Sequence, residues 1–392
     1  RTGQRRTHIA VLRSLSVTSG SAAPLLLPTL ERILDGRAPA MVVVPAQHEP
    51  IAALRALRVG EEIDDDVALV ATTSGTTGVP KGALLTAAAL TASASATHDR
   101  LGGPGSWLLA LPPYHIGGLQ VLVRSVLAGS VPIELDISAG FDLAKLPDAV
   151  GRLGTGRRYT SLVATQLAKA LTDSTATAVL AELDAVLVGG GPAPRPILDA
   201  ATSAGIMVVG TYGMSETAGG CVYDGVPLDG VCIRVLVNGH VAIGGATLAK
   251  GYRNPIVPDP FAESGWFHTD DLGTVDGSGV LTVLGRADDA ISTGGLTVLP
   301  GPVEAALCTH PAVSDCAVFG LTDDRLGQRV VAAVVLTDGY ATPTLSMLRA
   351  HVTRRLDAMA APRELHIVDT LPRRGIGKVD RTALVRRFAK SG

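Results

Sequence analysis

Absences narrow the chemistry of this 392-residue chain first. No uncharged apolar run approaches the ~18 residues that a membrane-spanning helix needs, although mean hydropathy is positive at +0.32. The longest candidates, near Pro24 to Leu30 and Val330 to Leu336, are expected to be core elements instead. Net charge is only −2, so there is no global basic field. No Lys/Arg cluster interleaved with aromatics offers a nucleic-acid face. The four cysteines, Cys221, Cys232, Cys308 and Cys316, match no C-x-x-C zinc or redox spacing, and a chain this long has no need of a disulfide framework. Reduced cytoplasmic thiols and small-molecule partners are the expectation, and a homodimer is left open. No repeat period stands out.

What is present is a globular composition, 46% apolar and 18% charged, and a length that suggests two or three domains. Arg1, Arg5, Arg6 and Arg13 precede any acidic residue, which admits a transit peptide. No hydrophobic signal core follows, so the expectation is upstream sequence ahead of a strand near Ile9 to Leu15. From Val67 to about Leu284, apolar strand-like runs alternate with helix-like stretches, as at Trp107 to Leu111, Ala185 to Val188, Pro194 to Ala204 and Ile206 to Val209. Such alternation predicts a sheet with helices on both faces. Short strands around Val275 to Leu284 suggest a small β module after a loop-rich section from Lys250 to Gly265. An α+β pattern of about a hundred residues follows and can fold as a separate unit. Its expected elements are a helix near Pro302 to Thr309, strands near Cys316 to Leu321 and Val330 to Leu336, a helix near Thr344 to Leu356 and a strand near Leu365 to Val368. The expected division is residues 1–287 for a large domain and 288–392 for a small one.

The densest chemistry lies in Thr72-Thr73-Ser74-Gly75-Thr76-Thr77-Gly78-Val79-Pro80-Lys81-Gly82. Its glycines let backbone N–H groups approach anionic oxygens, its hydroxyls add donors, and Lys81 adds a mobile positive charge. Val67 to Ala71 reads as a buried strand before it and Thr86 to Thr97 as an Ala-rich helix after it, so strand, loop and helix start would make an anion site. Lys81 lies three residues past Gly78, which is not Walker A spacing. A second group, Thr211-Tyr212-Gly213-Met214-Ser215-Glu216-Thr217, follows strand-like Ile206 to Val209 at a sheet edge where ligands collect. Tyr212 offers a face for a base and Glu216 a hard oxygen for Mg²⁺; a plain helix N-terminus capped by Ser215 is the alternative. A third group, Trp266 to Gly273, carries Asp270 and Asp271, in either a ligand site or a charged turn.

These segments, with Gly285-Arg286 through Asp289 and Leu371 to Arg381, resemble in order and spacing the adenylate-forming superfamily of acyl-CoA synthetases, luciferases and peptide-synthetase adenylation domains. The resemblance spans Val67 to Arg381. It implies an α/β large domain built of subdomains plus a small β module, and a smaller, mobile α+β C-terminal domain. Thr73, Ser74, Gly75, Thr76, Thr77, Gly78 and Lys81 would then hold the phosphates. Tyr212 would stack on adenine against Gly190, Gly191 and Pro192, with Gly213 and Ser215 in the same motif. Glu216 would hold magnesium, Asp271 and Arg286 the ribose. Asp270 stands where the family usually has glycine, which leaves open which carboxylate faces the sugar. Asp289 would be the hinge, Gly294 and Gly295 would line a pantetheine tunnel, and Lys378 would be the catalytic lysine.

Leu111-Pro112-Pro113-Tyr114-His115-Ile116-Gly117-Gly118-Leu119, followed by Val123-Arg124-Ser125-Val126-Leu127-Ala128-Gly129, resembles the bacterial o-succinylbenzoate–CoA ligases of menaquinone synthesis, where a Phe-His pair is commoner than Tyr114-His115. Gly189 to Pro194 and Ser215 to Gly220 match that branch too. In that branch His115 would gate the acyl pocket; a structural histidine between strand and helix is the alternative. About 70 residues precede the loop, which implies a trimmed N-terminal subdomain. The resemblance thus implies ATP, Mg²⁺ and coenzyme A, a carboxylic acid activated as acyl-AMP, and a cytoplasmic setting. Transfer of another aryl or fatty acid, or loading of a carrier-protein thiol, is the alternative, and a non-catalytic nucleotide binder a further one.

Overall fold

The computed structural model describes residues 10–47, 50–72, 80–374 and 377–389. Four sheets carry the chain, and a short hairpin follows them. The first sheet pairs Arg13–Val17, Met41–Pro45 and Val67–Ala71 in parallel and adds Ala83–Thr86 antiparallel at one edge. All five residues of Val67–Ala71 are buried, as the unbroken apolar run requires of a strand covered on both faces.

The second sheet has seven strands, in the order Val226–Pro227, Gly219–Tyr223, Val208–Met214, Ala185–Gly189, Arg158–Val163, Ser106–Leu109 and Ile133–Glu134. Its middle is parallel and the Gly219–Tyr223 edge antiparallel. The helix Ile116–Leu127 packs between the two sheets' helical layers, against Ala23–Leu34 and Ala87–Arg100. Gly118 is required in its first turn, because a Cβ there would collide with the Pro112 carbonyl. A third, antiparallel sheet of Val231–Val235, His240–Gly245, Trp266–Val275 and Leu281–Arg286 is the expected β module.

Beyond it, Ile291–Thr293, Leu296–Val298, Val313–Asp323, Gly327–Leu336 and Glu364–Ile367 form the fourth sheet, covered by the helices Pro300–Leu307 and Leu345–Thr353. Its two apolar clusters draw only on residues between Ile291 and Phe388, whereas the clusters of the preceding chain run from Leu12 to Leu281. No helix among the described residues is long and apolar enough to cross a membrane.

Two expectations need correction. The Thr/Gly-rich loop does not lead straight into a helix: the strand Ala83–Thr86 intervenes, with Ala71 opposite Ala83 and Val67 opposite Thr86. The helix Ala87–Arg100 therefore begins at the far end of that strand, about 13 Å from Gly82 at ~3.3 Å per residue, and a helix dipole acts only within its first turn; residues 73–79 lie outside the described residues. Second, the strand expected at Ile206 to Val209 runs instead over Val208–Met214, so Tyr212 and Gly213 lie within the sheet rather than beyond it. Antiparallel pairing with Gly219–Tyr223 extends it, and no local pattern in a Gly-rich stretch announces that partner.

Candidate active site

The parallel strands of the seven-stranded sheet end together. Ser106–Leu109 leads to Leu111 through Gly118, Arg158–Val163 to Ala164 through Gln166, Ala185–Gly189 to Gly190 through Pro192, and Val208–Met214 to Ser215 through Thr217. Three of the segments singled out in the sequence, together with the Ala164–Gln166 connection, thus gather at one carboxyl edge, the place where open α/β sheets take ligands.

Ser215–Thr217 is one turn of 3-10 helix. Thr217 Oγ1 accepts from Met214 N at 3.0 Å, and Ala218 closes the turn at φ 52°. The Ala218 carbonyl is fixed by Ser93 Oγ at 3.0 Å and Gln120 Nε2 at 2.6 Å, both reaching in from the helical layer. Gly213 is demanded by the crossing of the two strands, since a Cβ there would run into the Gly219 carbonyl. Glu216 is buried at 8% exposure, and its Oε1 accepts from Tyr252 Oη at 2.6 Å. Burial and the Glu216 charge drive the Tyr252 phenol far above its usual range, so Tyr252 is the donor. Among the described residues no cluster of three His, Cys, Asp or Glu could cage a metal. One buried carboxylate still suits Mg²⁺, which takes one or two protein oxygens and leaves its other positions to phosphates and water.

Tyr212 Oη donates to Asp271 Oδ2 at 2.7 Å, and desolvation with that carboxylate holds the phenol protonated. Asp271 is further set by its own N–H on Thr269 Oγ1 at 3.0 Å, and it stands opposite Arg286 in the antiparallel ladder. Asp270 projects the other way and pairs with Arg286 Nη2 at 3.1 Å, while Arg286 also grips both oxygens of Asp288 at 2.8 Å. Strand alternation thus separates the two neighbouring acids: Asp271 faces the tyrosine and Asp270 is exposed.

Lys81 Nζ lies 5.3 Å from the centre of the Tyr252 ring, so the exit of the Thr/Gly-rich loop meets the Glu216 group. Thr73, Ser74, Gly75, Thr76, Thr77 and Gly78 fall outside the described residues. His115 precedes the helix Ile116–Leu127, its ring 5.0 Å from that of Tyr114, and burial lowers its pKa. Gly190 is at φ 80° in an exposed loop with Gly191 and Pro192.

In the C-terminal part, Asp289 sits in the short turn Ala287–Asp289 and accepts from Arg381 Nη1 at 2.9 Å. Gly294 and Gly295 make the tight turn between Ile291–Thr293 and Leu296–Val298, at φ 57° and 81°. Lys378 is exposed, paired with Arg374 in the terminal hairpin. That hairpin rests on the carboxyl edge of the large sheet: a Cβ on Gly377 would come within 3.0 Å of Thr165 Oγ1.

Two residues receive no role in the sequence reading, although Arg124 lies within the segment Val123 to Gly129. Tyr252 lies in a stretch taken as loop, and its only signal was the polar run Lys250 to Asn254. Arg124 is 3% exposed on the helix Ile116–Leu127. Its guanidinium lies 4.9 Å over the Trp107 ring and reaches Tyr223 Oη at 3.3 Å, and burial lowers its pKa. No carboxylate among the described residues pairs with it, and buried Arg124 Nε, Trp107 Nε1, His98 Nε2 and Gln120 Oε1 have no hydrogen-bond partner. A lone charge in the apolar run Leu119 to Leu127 was the available signal.

An α/β lobe in which the Tyr212–Glu216 segment at a sheet's carboxyl edge meets Asp271 of a β module and Lys81 beyond a glycine-rich segment, followed by a small α+β unit whose terminal hairpin carries a lysine, is the architecture of an adenylate-forming enzyme. A family model described as AMP-binding enzyme matches residues 30–252, and one described as AMP-binding enzyme C-terminal domain matches 302–378. The chain belongs to the AMP-binding enzyme family. It is 77% identical over 380 residues, 96% of this chain and 99% of the other, to a Mycobacterium tuberculosis protein named "Probable 2-succinylbenzoate–CoA ligase". A Geobacillus kaustophilus 2-succinylbenzoate–CoA ligase is 34% identical, covering 91% of this chain and 76% of its own. The solved o-succinylbenzoate CoA synthetase of Bacillus subtilis with its acyl-adenylate intermediate superimposes with a TM-score of 0.73 at 28% identity, over 91% of this chain and 80% of that one. The same Bacillus enzyme with ATP and magnesium gives 0.75 at 25% identity, over 95% and 89%.

Proposed function

We propose that this chain joins o-succinylbenzoate to coenzyme A at the expense of ATP, passing through o-succinylbenzoyl-AMP, as part of menaquinone synthesis in the cytoplasm. A free carboxylate is a poor acceptor for a thiol because its leaving group would be oxide. In the first step a substrate carboxylate oxygen attacks the α-phosphorus and pyrophosphate leaves; in the second the thiol attacks the acyl carbon and AMP leaves.

We assign Tyr212 and the Gly190–Pro192 loop to adenine, Asp271 and Arg286 to the ribose, and Lys81 with the loop Thr73 to Gly78 to the phosphates. Asp271 suits a cis-diol because a carboxylate accepts from both hydroxyls. Glu216 is the residue that would hold magnesium, which when bound neutralises charge on phosphate oxygens. Lys378 is assigned to the charge that grows on the α-phosphate during attack, His115 to the mouth of the acyl pocket, and Gly294 and Gly295 to the path of the thiol. Residues 1–287 and 288–392 are read as the two moving parts.

The observation that carries the choice of acid is Arg124. A buried guanidinium with no carboxylate partner is costly unless something anionic arrives, and a second carboxylate on an aromatic ring is such a group. Arg124 lies one helical turn beyond Gln120, which touches the loop next to Glu216.

The test is pyrophosphate release across o-succinylbenzoate, benzoates and medium-chain acids, with coenzyme A as the sole thiol. The o-succinylbenzoate reaction is expected to dominate and to yield its thioester without a carrier protein. Arg124→Met should lower kcat/KM for o-succinylbenzoate roughly ten- to hundredfold, the loss of a charge-assisted bond worth about 1.5–3 kcal/mol, with little change for a monocarboxylate. Equal losses on both acids would remove Arg124 from recognition.

A further inference from the structure

Beside the exit of the phosphate loop runs a segment for which the assignments above have no use. Residues Ala249 to Asn254 lie antiparallel to Lys81 through Leu84, with Ala83 bridged to Tyr252. Lys250 N donates to Leu84 O at 2.8 Å, Leu84 N to Gly251 O at 2.9 Å, Arg253 N to Gly82 O at 2.7 Å and Asn254 N to Lys81 O at 2.9 Å. At the other end Ala249 N donates to Glu216 O at 2.8 Å. One extended strap therefore ties the backbone of Glu216 to the backbone of Lys81. Side chains repeat the tie: Asn254 Nδ2 donates to Pro80 O at 2.8 Å and Ala56 O at 2.9 Å, and Arg253 donates to Leu57 O and Glu62 O.

Tyr252 occupies the middle of the strap. Its ring meets Phe261 edge-on at 5.4 Å, with Lys81 over its face. Its hydroxyl is the only hydrogen-bond donor to the Glu216 carboxylate among the described residues. A carboxylate on a single 3-10 turn is free to rotate unless one oxygen is held, and a donor on one oxygen leaves the other to face a ligand.

We infer that Tyr252 is a positioning residue for the nucleotide half of the reaction: its hydroxyl fixes Glu216 Oε1 so that Oε2 is presented to the magnesium–ATP complex, and the strap keeps Glu216 in register with Lys81. The inference rests on the assignment of Glu216 to the metal.

Tyr252→Phe tests it, because the ring keeps its packing on Phe261 and loses only the hydroxyl. Equilibrium binding of ATP, with magnesium and with chelator, is measured calorimetrically beside the two half-reactions and thermal melting. The gain in ATP affinity on adding magnesium should shrink roughly tenfold or more, as outer-shell losses at metal ligands do. Affinity for metal-free ATP and thioester formation from presynthesised acyl-AMP should stay within about twofold. An unchanged magnesium gain, or equal loss of metal-free binding and thioester formation, overturns the inference. Glu216→Gln separates the two levels. If it abolishes the magnesium gain while Tyr252→Phe does not, only the positioning role falls; if it leaves the gain intact, the assignment of Glu216 falls and takes the inference with it.

Discussion

Lys378 is the residue of the small lobe to which the proposed adenylation step assigns a charge. It lies on a two-strand hairpin whose Gly377 touches the Thr165 end of the large sheet, and a lysine on a long stem is a compact charge that can follow a phosphate as its geometry changes. Removing one such donor from a developing oxyanion commonly costs ~3 kcal/mol, about a hundredfold in rate. Lys378→Ala should therefore cut acyl-adenylate formation by roughly that factor and spare thioester formation from preformed acyl-AMP. Equal loss in the two isolated half-reactions would take Lys378 out of the adenylation step. The residue types around Tyr212, Glu216 and Asp271 suggest a ligand site without excluding a capped helix start or a charged turn, whereas Lys378 is singled out only by the resemblance of Leu371 to Arg381 to a family motif. Arg124 and Tyr252 receive no role from sequence alone, because the partners that give them meaning, Tyr223 for the first and Glu216 and Lys81 for the second, lie 36 to 171 positions away along the chain.

At the scale of the element, the Ala-rich helix Ala87–Arg100 shows what a local pattern can and cannot say. Its start was legible, and Thr86 caps it with Oγ1 accepting from Ala89 N at 3.1 Å. The strand Ala83–Thr86 immediately before was not, since an Ala/Leu run passes from strand to helix there with no glycine or proline to mark the change. The helix matters to the site because Ser93, on its buried face, holds the Ala218 carbonyl behind Glu216. Thr86→Ala is expected to cost about 1 kcal/mol, the usual worth of an N-cap. The change should appear as a lower urea midpoint for the large lobe with an unchanged slope. A variant as stable as the parent would show that packing against Ile116–Leu127 alone fixes the helix start. The strap from Ala249 to Asn254 makes the complementary point: its hydrogen bonds run to a neighbour distant in sequence, so it carries no periodicity of its own and reads as loop.

For the whole molecule, the question is how one site performs two reactions. The apolar clusters divide between Leu281 and Ile291, and the short turn Ala287–Asp289 joins the halves. The Asp289 carboxylate is bound to Arg381, whose other nitrogens reach Glu304 Oε1 at 2.7 Å and Val318 O at 3.1 Å. Glu304 lies on the helix Pro300–Leu307, Val318 in the fourth sheet and Arg381 at the start of the helix Arg381–Phe388, so in the proposed rotation the side chain of Asp289 would move with the small lobe and its backbone would take up the change. Hinges of this kind are few and local. Proline at 289 would lock φ near −65° and push Asp288 out of the helical region, which should hold one orientation and separate the half-reactions, one retained and the other lost. Proline also deletes the carboxylate, and Asp289→Ala controls for that loss. The Asp289–Arg381 pair is partly exposed, at 34% and 23% of the side chains, and such pairs contribute about 0–1 kcal/mol. Asp289→Ala should leave both half-reactions near the parental rate. If alanine reproduces the proline phenotype, the ion pair and not the backbone rotation governs the site; if proline slows both half-reactions equally, Asp289 is not the pivot.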